Sequence, residues 1–192
     1  MGTLKRNWRA PALIFLLLAF PLAPLAQTVT AVPKFDLTTF TGKWYEIARL
    51  PNKREKKCVS DVFNLIAQGE KLTRLQLVSS CKNKGGFPEI RSAVIKAANK
   101  SGDGKLKLVS LWPFSTPFWV LALGPDNAWS LIGSPNHKQL WILAKTPALD
   151  PQVLADIEAK AAAQGFSPAK LVMTQPVAPA AESKTTIQAP RT

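Results

Sequence analysis

One histidine, two cysteines and one tyrosine are spread over 192 residues, and acidic side chains are scarce, 12 against 25 lysines and arginines. A single histidine leaves any Ser-His-Asp catalysis dependent on His137, and nothing near it resembles a nucleophile elbow or a helix-borne metal motif. Cys58, Cys81 and His137 fall short of a four-ligand set, and His137 stands in the polar turn Pro135-Asn136-His137-Lys138, so no metal is expected. No glycine loop cradles a phosphate, since Gly85-Gly86 reads as an ordinary turn, and no cofactor is expected. No apolar run reaches the roughly 20 residues that a membrane-spanning helix needs.

The apolar run that is present, Ala10 to Phe20, follows Lys5, Arg6 and Arg9 and precedes the small residues Ala23, Ala26 and Ala31. That is the pattern of a secretory leader, residues 1–26, with cleavage after Ala26 or as late as Ala31. No cysteine occurs up to Val32, so an exported, soluble periplasmic or secreted protein without an acyl anchor is expected. Removing residues 1–26 lowers the formal charge from +13 to about +10. Nucleic acid is an unsuitable partner for an exported chain whose lysines are scattered; contact with an anionic membrane surface, or simple solubility, fits better.

Between Thr41 and Lys145, short segments of β-formers alternate with Gly, Pro, Asn and Asp, the rhythm of an all-β barrel or sandwich. Strands are predicted at 43–50, 59–66, 72–80, 89–97, 105–112, 118–124, 128–133 and 139–145. The short intervals require antiparallel, up-and-down connections, and closure of the eight strands removes the sheet edges. Lys105 and Lys107 face solvent in the fifth strand, which turns Leu106, Leu108, Ser110 and Trp112 inward. The next three strands are apolar on both faces and need an outer cover. Asp150 as N-cap, Pro151 at the first helical position and Gly165 as the stop predict that cover: a helix over 150–164 with the stripe Val153, Leu154, Ile157 and Ala161. Leu171 to Thr174 can add at a sheet edge, and 176–192, rich in Ala and Pro, reads as a disordered tail. The domain proper is 27–175.

If Gly69-Glu70 is a two-residue hairpin turn, with the glycine supplying positive φ, Cys58 falls directly opposite Cys81. In an oxidising compartment such a pair can form a disulfide; two buried thiols are the alternative.

Thr41-Gly42-Lys43-Trp44-Tyr45-Glu46-Ile47-Ala48-Arg49 resembles the Gly-x-Trp signature that opens lipocalins. Trp112-Pro113-Phe114, Phe118-Trp119-Val120, Leu140 to Pro147 and the helix ending Gly165-Phe166 resemble the same family in the same order, in its bacterial and apolipoprotein D-like branch. The resemblance spans roughly 33–175. It implies an eight-stranded calyx with one C-terminal helix outside, a floor closed by Gly42, Trp44 and Lys145, and non-enzymatic binding, transport or storage of a fatty acid, lysophospholipid or similar lipid, in the service of envelope lipid maintenance. It also implies a pocket lined by Phe118, Val120, Ala122, Trp129, Leu131, Trp141 and Leu143, joined by the inward Leu108 and Trp112. Three departures stand out: Gly124 and Asn127 replace the usual Asp and Tyr of the second motif, and Lys145 replaces Arg, offering a point charge to the floor tryptophan. A lipid-modifying lipocalin and an exported protease inhibitor acting through residues 27–40 are the rival readings. Few titratable groups are expected inside, Glu46 being the uncertain one.

Overall fold

A computed structural model describes residues 27–69, 73–111 and 113–176. The leader 1–26, the tail beyond 176, Glu70 of the expected turn and Trp112 of the expected pocket lie outside the described residues. Eight strands follow in order: β1 (Gly42–Arg49), β2 (Cys58–Gln68), β3 (Arg74–Asn83), β4 (Pro88–Ala97), β5 (Lys105–Leu111), β6 (Phe114–Leu123), β7 (Trp129–Gly133) and β8 (Leu140–Ala144). Each pairs antiparallel with the next, and β1 pairs with both β2 and β8, which closes the barrel. β9 (Val172–Met173) adds to β1 at Ala48 and Arg49. Beyond it, Thr174 N–H donates to the Ile47 carbonyl (3.0 Å) and Gln175 N–H to that of Val59 (2.8 Å), which bridges β1 and β2 where they diverge.

Two apolar layers result. Outside the barrel, helix α1 (Pro151–Ala163) buries Ile157 and Ala161 against Leu131, Ile142, Ala144 and Phe166, with Val153 and Leu154 partly covered. Asp150 starts the helix by accepting from Gln152 N–H (2.8 Å) and Val153 N–H (3.4 Å), and Gly165, at φ +84°, ends it. His137 serves this packing: its Nε2 lies 2.9 Å from the Gln164 carbonyl oxygen and its ring 5.0 Å from that of Phe166. Inside lies the second layer, built on Trp44, Phe63, Leu75, Ile95, Phe118 and Trp141. The segment before β1 is part of the barrel wall. Val32 N–H donates to the Val120 carbonyl (2.9 Å), its own carbonyl accepts from Gly104 (2.8 Å), and Val29 and Ala31 are buried. Residues 29–32 are thus packed into the wall and do not form a free arm.

Three sequence-based expectations need correction. The β2–β3 register is displaced by three residues: Cys81 faces Asp61, Leu77 faces Leu65, and Cys58 stands across from Asn83. The expected register would set Leu65 opposite Arg74 and turn Leu75 and Leu77 to solvent, because an odd slip inverts every side chain. The hairpin therefore closes from Gln68 to Arg74, not through a two-residue Gly69-Glu70 turn. An irregularity between Cys58 and Ser60 brings Cys58 to Cys81, and the two are disulfide-bonded with Cα atoms 5.5 Å apart. β6 begins at Phe114 and runs through Pro117, which opposes Lys107 where the β7 side is still unpaired. In β5, a bulge between Leu108 and Leu111 ends the alternation, so Ser110 is exposed instead of inward.

The disulfide closes a separation of 23 residues, for which chain entropy gives about 3 kcal/mol. Replacing both cysteines by alanine should lower the unfolding free energy in urea by about that amount, and a change below about 1 kcal/mol would contradict it.

Candidate functional site

The barrel interior is filled in tiers. At the closed end Trp44 packs on Phe40, ring centroids 4.7 Å apart, and its Nε1–H donates to the Phe40 carbonyl (3.0 Å). Lys145 Nζ lies 3.9 Å from the Trp44 ring centroid and donates to the Thr41 carbonyl (2.7 Å). Gly42 at φ +89° makes the bend that brings Thr41 there. Burial lowers the Lys145 pKa. The next tier is large and closely packed: Leu65, Leu75, Ile95, Leu106, Phe118 and Leu143 are all buried. Above it the inward residues shrink to Ser79, Ala93 and Thr116, and a cavity of about 340 Å³ opens between them and Phe63, Leu77, Leu108 and Trp141. Its mouth is edged by Asn52, Lys53, Arg54 and Gln139. Such a volume falls at the small end of ligand sites, roughly 300–1,000 Å³.

A buried ionic cluster backs one side of the cavity and reaches its lining at Glu55 and Arg91. Glu46, Arg49, Glu55 and Asp61 are all buried. Arg49 Nη1 is 2.5 Å from Glu46 Oε1, while Nη2 donates to the Glu55 carbonyl (2.9 Å) and the Cys58 carbonyl (2.8 Å). Glu55 Oε2 accepts from Trp141 Nε1–H (3.1 Å) and from the Asn52 amide. Arg91 Nη2 meets Asp61 Oδ2 at 2.5 Å, its Nη1 donates to the Arg54 carbonyl (3.0 Å), and Ser79 Oγ donates to Asp61 (2.9 Å). Two groups are left over: Arg91 Nε and Glu46 Oε2 are buried without a partner. Desolvation, reinforced by Glu55, pushes the Glu46 carboxyl up to about 8, and desolvation, opposed by Arg91 and Ser79, pushes Asp61 up to about 7. The Glu46, Glu55 and Asp61 oxygens lie within 4.8 Å of one another, but two guanidinium groups already supply the positive charge there.

Of the residues expected to line the pocket, Leu108 and Trp141 do, and Phe118, Val120 and Leu143 face the interior beneath them. Ala122, Trp129 and Leu131 do not. A bulge between Val120 and Ala122 puts Leu121 and Ala122 both on the outer face; Leu131 pairs with Ala122, and all three pack in the layer under α1. Ile132, across from Val120, is inward on β7, on the same face as the buried Ser130. Trp129 also accounts for Gly124: its indole occupies the space a Cβ there would need. Sequence reasoning missed Phe63, Leu77, Ala93 and, apart from Glu46, the ionic cluster; its expectation of few titratable groups inside is corrected by the burial of Glu46, Arg49, Glu55 and Asp61. Period two carried the signal: Asp61-x-Phe63-x-Leu65, Leu75-x-Leu77-x-Ser79 and Arg91-x-Ala93-x-Ile95 each lie on one inward face.

A family model described as "Lipocalin-like domain" matches residues 35–176. Temperature-induced lipocalin-1 of Arabidopsis thaliana is 30% identical over 156 residues, covering 77% of this chain and 83% of that protein. Outer membrane lipoprotein Blc of Escherichia coli K12 is 28% identical over 174 residues, covering 84% and 90%. Among solved structures, insecticyanin of Manduca sexta superposes with a TM-score of 0.61 at 21% identity, over 77% of this chain and 84% of that one, a likeness of fold.

Two outcomes follow from this interior. Truncating Trp44 to Ala removes the floor and should cost about 3–5 kcal/mol in equilibrium unfolding; an unchanged transition would displace it from the core. Glu46 and Asp61 hold their protons to higher pH in the folded state than in the unfolded chain, whose carboxyls titrate near 4.5 and 3.8. The stability they contribute is therefore full at acid pH and falls as pH rises through about 7 and 8. Urea unfolding should show a decline from about pH 5 to pH 8 that Glu46→Gln makes shallower, and an equal slope in both proteins would remove the assignment.

Proposed function

The chain belongs to the lipocalin family, typically non-catalytic carriers of small hydrophobic ligands, and from that premise we propose that it takes up a single-chain amphiphile with an anionic head, a fatty acid or lysophospholipid. One observation carries this reading: the lining of an otherwise largely apolar cavity includes the guanidinium of Arg91, whose side chain is 25% exposed. Asp61 and the Arg54 carbonyl hold the two terminal nitrogens of Arg91 at the cavity lining, where its positive charge would favour an anionic head. Phe63, Leu77, Ala93, Leu108 and Trp141 receive the chain. The packed tier around Phe118 ends the cavity, so the acyl tail stops above it and does not run down to Trp44.

Export to the periplasm belongs to the same proposal. It is supported by the leader pattern in 1–26 and by the relative named as an outer membrane lipoprotein. In that setting the chain would carry or store lipid for envelope maintenance, and the basic surface would favour peripheral contact with anionic membrane.

Calorimetric titration of delipidated protein tests the site. A long-chain fatty acid should bind saturably near one equivalent; Leu108→Trp, which fills the cavity, should abolish binding in a folded barrel. Arg91→Lys keeps a charge beside Asp61 but loses the guanidinium's fork of donors, and should weaken the fatty acid about tenfold or more while a fatty alcohol of equal length binds as before. Undiminished uptake by folded Leu108→Trp would place the ligand elsewhere.

A further inference from the structure

The mouth of the barrel carries an apolar rim. Phe87 is 70% exposed, Ile90 64%, Leu111 69% and Phe114 73%. All four stand at the tips of two neighbouring hairpins, β3–β4 and β5–β6, at the open end. The tips are built to hold them out. Asn83 Oδ1 accepts from Gly85 N–H (2.9 Å) and Phe87 N–H (3.0 Å), and Asn83 N–H donates to the Phe87 carbonyl (3.0 Å). Leu111 and Phe114 are the last paired residues of their hairpin. Large apolar side chains fixed in water at one end of a molecule mark a contact surface.

Charge identifies the contact. Lys53, Arg54, Lys56 and Lys57 in the β1–β2 loop and Lys82 and Lys84 beside the β3–β4 turn are exposed, against one exposed carboxylate, Glu89. The two loops are joined, since Lys84 N–H donates to the Lys57 carbonyl (3.2 Å), and Arg91 ties the β1–β2 loop to β4 through the Arg54 carbonyl. Apolar tips flanked by a basic collar match an anionic bilayer, whose headgroups attract the lysines and whose acyl boundary accepts the aromatics. A second copy of this chain would bring its own basic collar against the first.

We propose that the β3–β4 and β5–β6 tips insert into an anionic lipid surface, with the basic β1–β2 loop on the headgroups, so that the cavity mouth opens onto the bilayer. This deepens the amphiphile reading by naming the surface from which the ligand is drawn.

Flotation of the mature protein with vesicles of phosphatidylglycerol and phosphatidylcholine, and of phosphatidylcholine alone, tests it. Binding should require the anionic lipid and weaken with salt. Phe87→Ser/Phe114→Ser and, independently, Ile90→Ser/Leu111→Ser should each reduce partitioning about tenfold or more, with melting and cavity titration unchanged. Lys57→Glu/Lys84→Glu should do the same. Equal partitioning of both apolar variants would overturn the proposal, as would sedimentation equilibrium showing that they abolish self-association while vesicle binding persists. If no amphiphile enters the cavity but the apolar variants still lose the vesicles, docking stands and the ligand assignment alone fails.

Discussion

Closure governs everything else in this molecule. Because β1 is hydrogen-bonded to β2 at its start and to β8 further on, no edge is free along the barrel, and an eight-stranded interior is just wide enough for side chains to fill. Whether the inside is solid or hollow then depends only on how large the inward residues are at each height. Leucine, isoleucine and phenylalanine make the lower tiers solid, whereas Ser79, Ala93 and Thr116 leave the upper one open. The cavity is a consequence of three small side chains at one level.

The same closure explains the charges. A strand that must keep its inward face toward the interior cannot turn Glu46, Asp61 or Arg91 to bulk water, so each is either paired or protonated. Unpaired burial would cost several kcal/mol per ion. Arg49 answers this for Glu46 and Glu55, and Arg91 for Asp61. The residual imbalance, three carboxyls against two guanidinium groups, is consistent with Glu46 retaining its proton to about 8. The network also anchors the β1–β2 loop, since Glu55 and the Arg54 carbonyl are among its members.

Local chemistry was readable from residues alone wherever it acts over a few positions. The eight-strand rhythm, the Asp150 cap, the Gly165 stop and the short edge strand near 172 all depend on neighbours in sequence. Bulges do not. The slip between Val120 and Ala122 is decided by how β6 meets β7, and it alone moves Ala122 out of the interior and accompanies Leu131 under the helix. The β2–β3 register is likewise set by matching Leu65 to Leu77 across the sheet, a choice that turn residues could not reveal. Apart from Glu46, the ionic cluster escaped because its members come from β1, β2, β4 and the β1–β2 loop: Arg49 follows Glu46 by three residues but Arg91 lies thirty from Asp61, and such charges read as solvated surface until the alternation on each strand is followed.

The depth of the cavity bears on what the open end must do. With the tier around Phe118 closed, the hollow of about 340 Å³ is confined to the mouth half of the barrel. On the proposed reading, the ligand's polar end would stay close to Arg91 and the mouth, and entry and exit would happen at the rim without passage through the barrel. Water at that rim would oppose transfer of an acyl chain, because each methylene exposed on the way costs about 0.8 kcal/mol. Phe87, Ile90, Leu111 and Phe114 are the exposed apolar side chains at that end among the described residues. On that reading, a rim that is apolar at its tips and basic on its flank would lower that barrier for an anionic amphiphile at the mouth of the cavity.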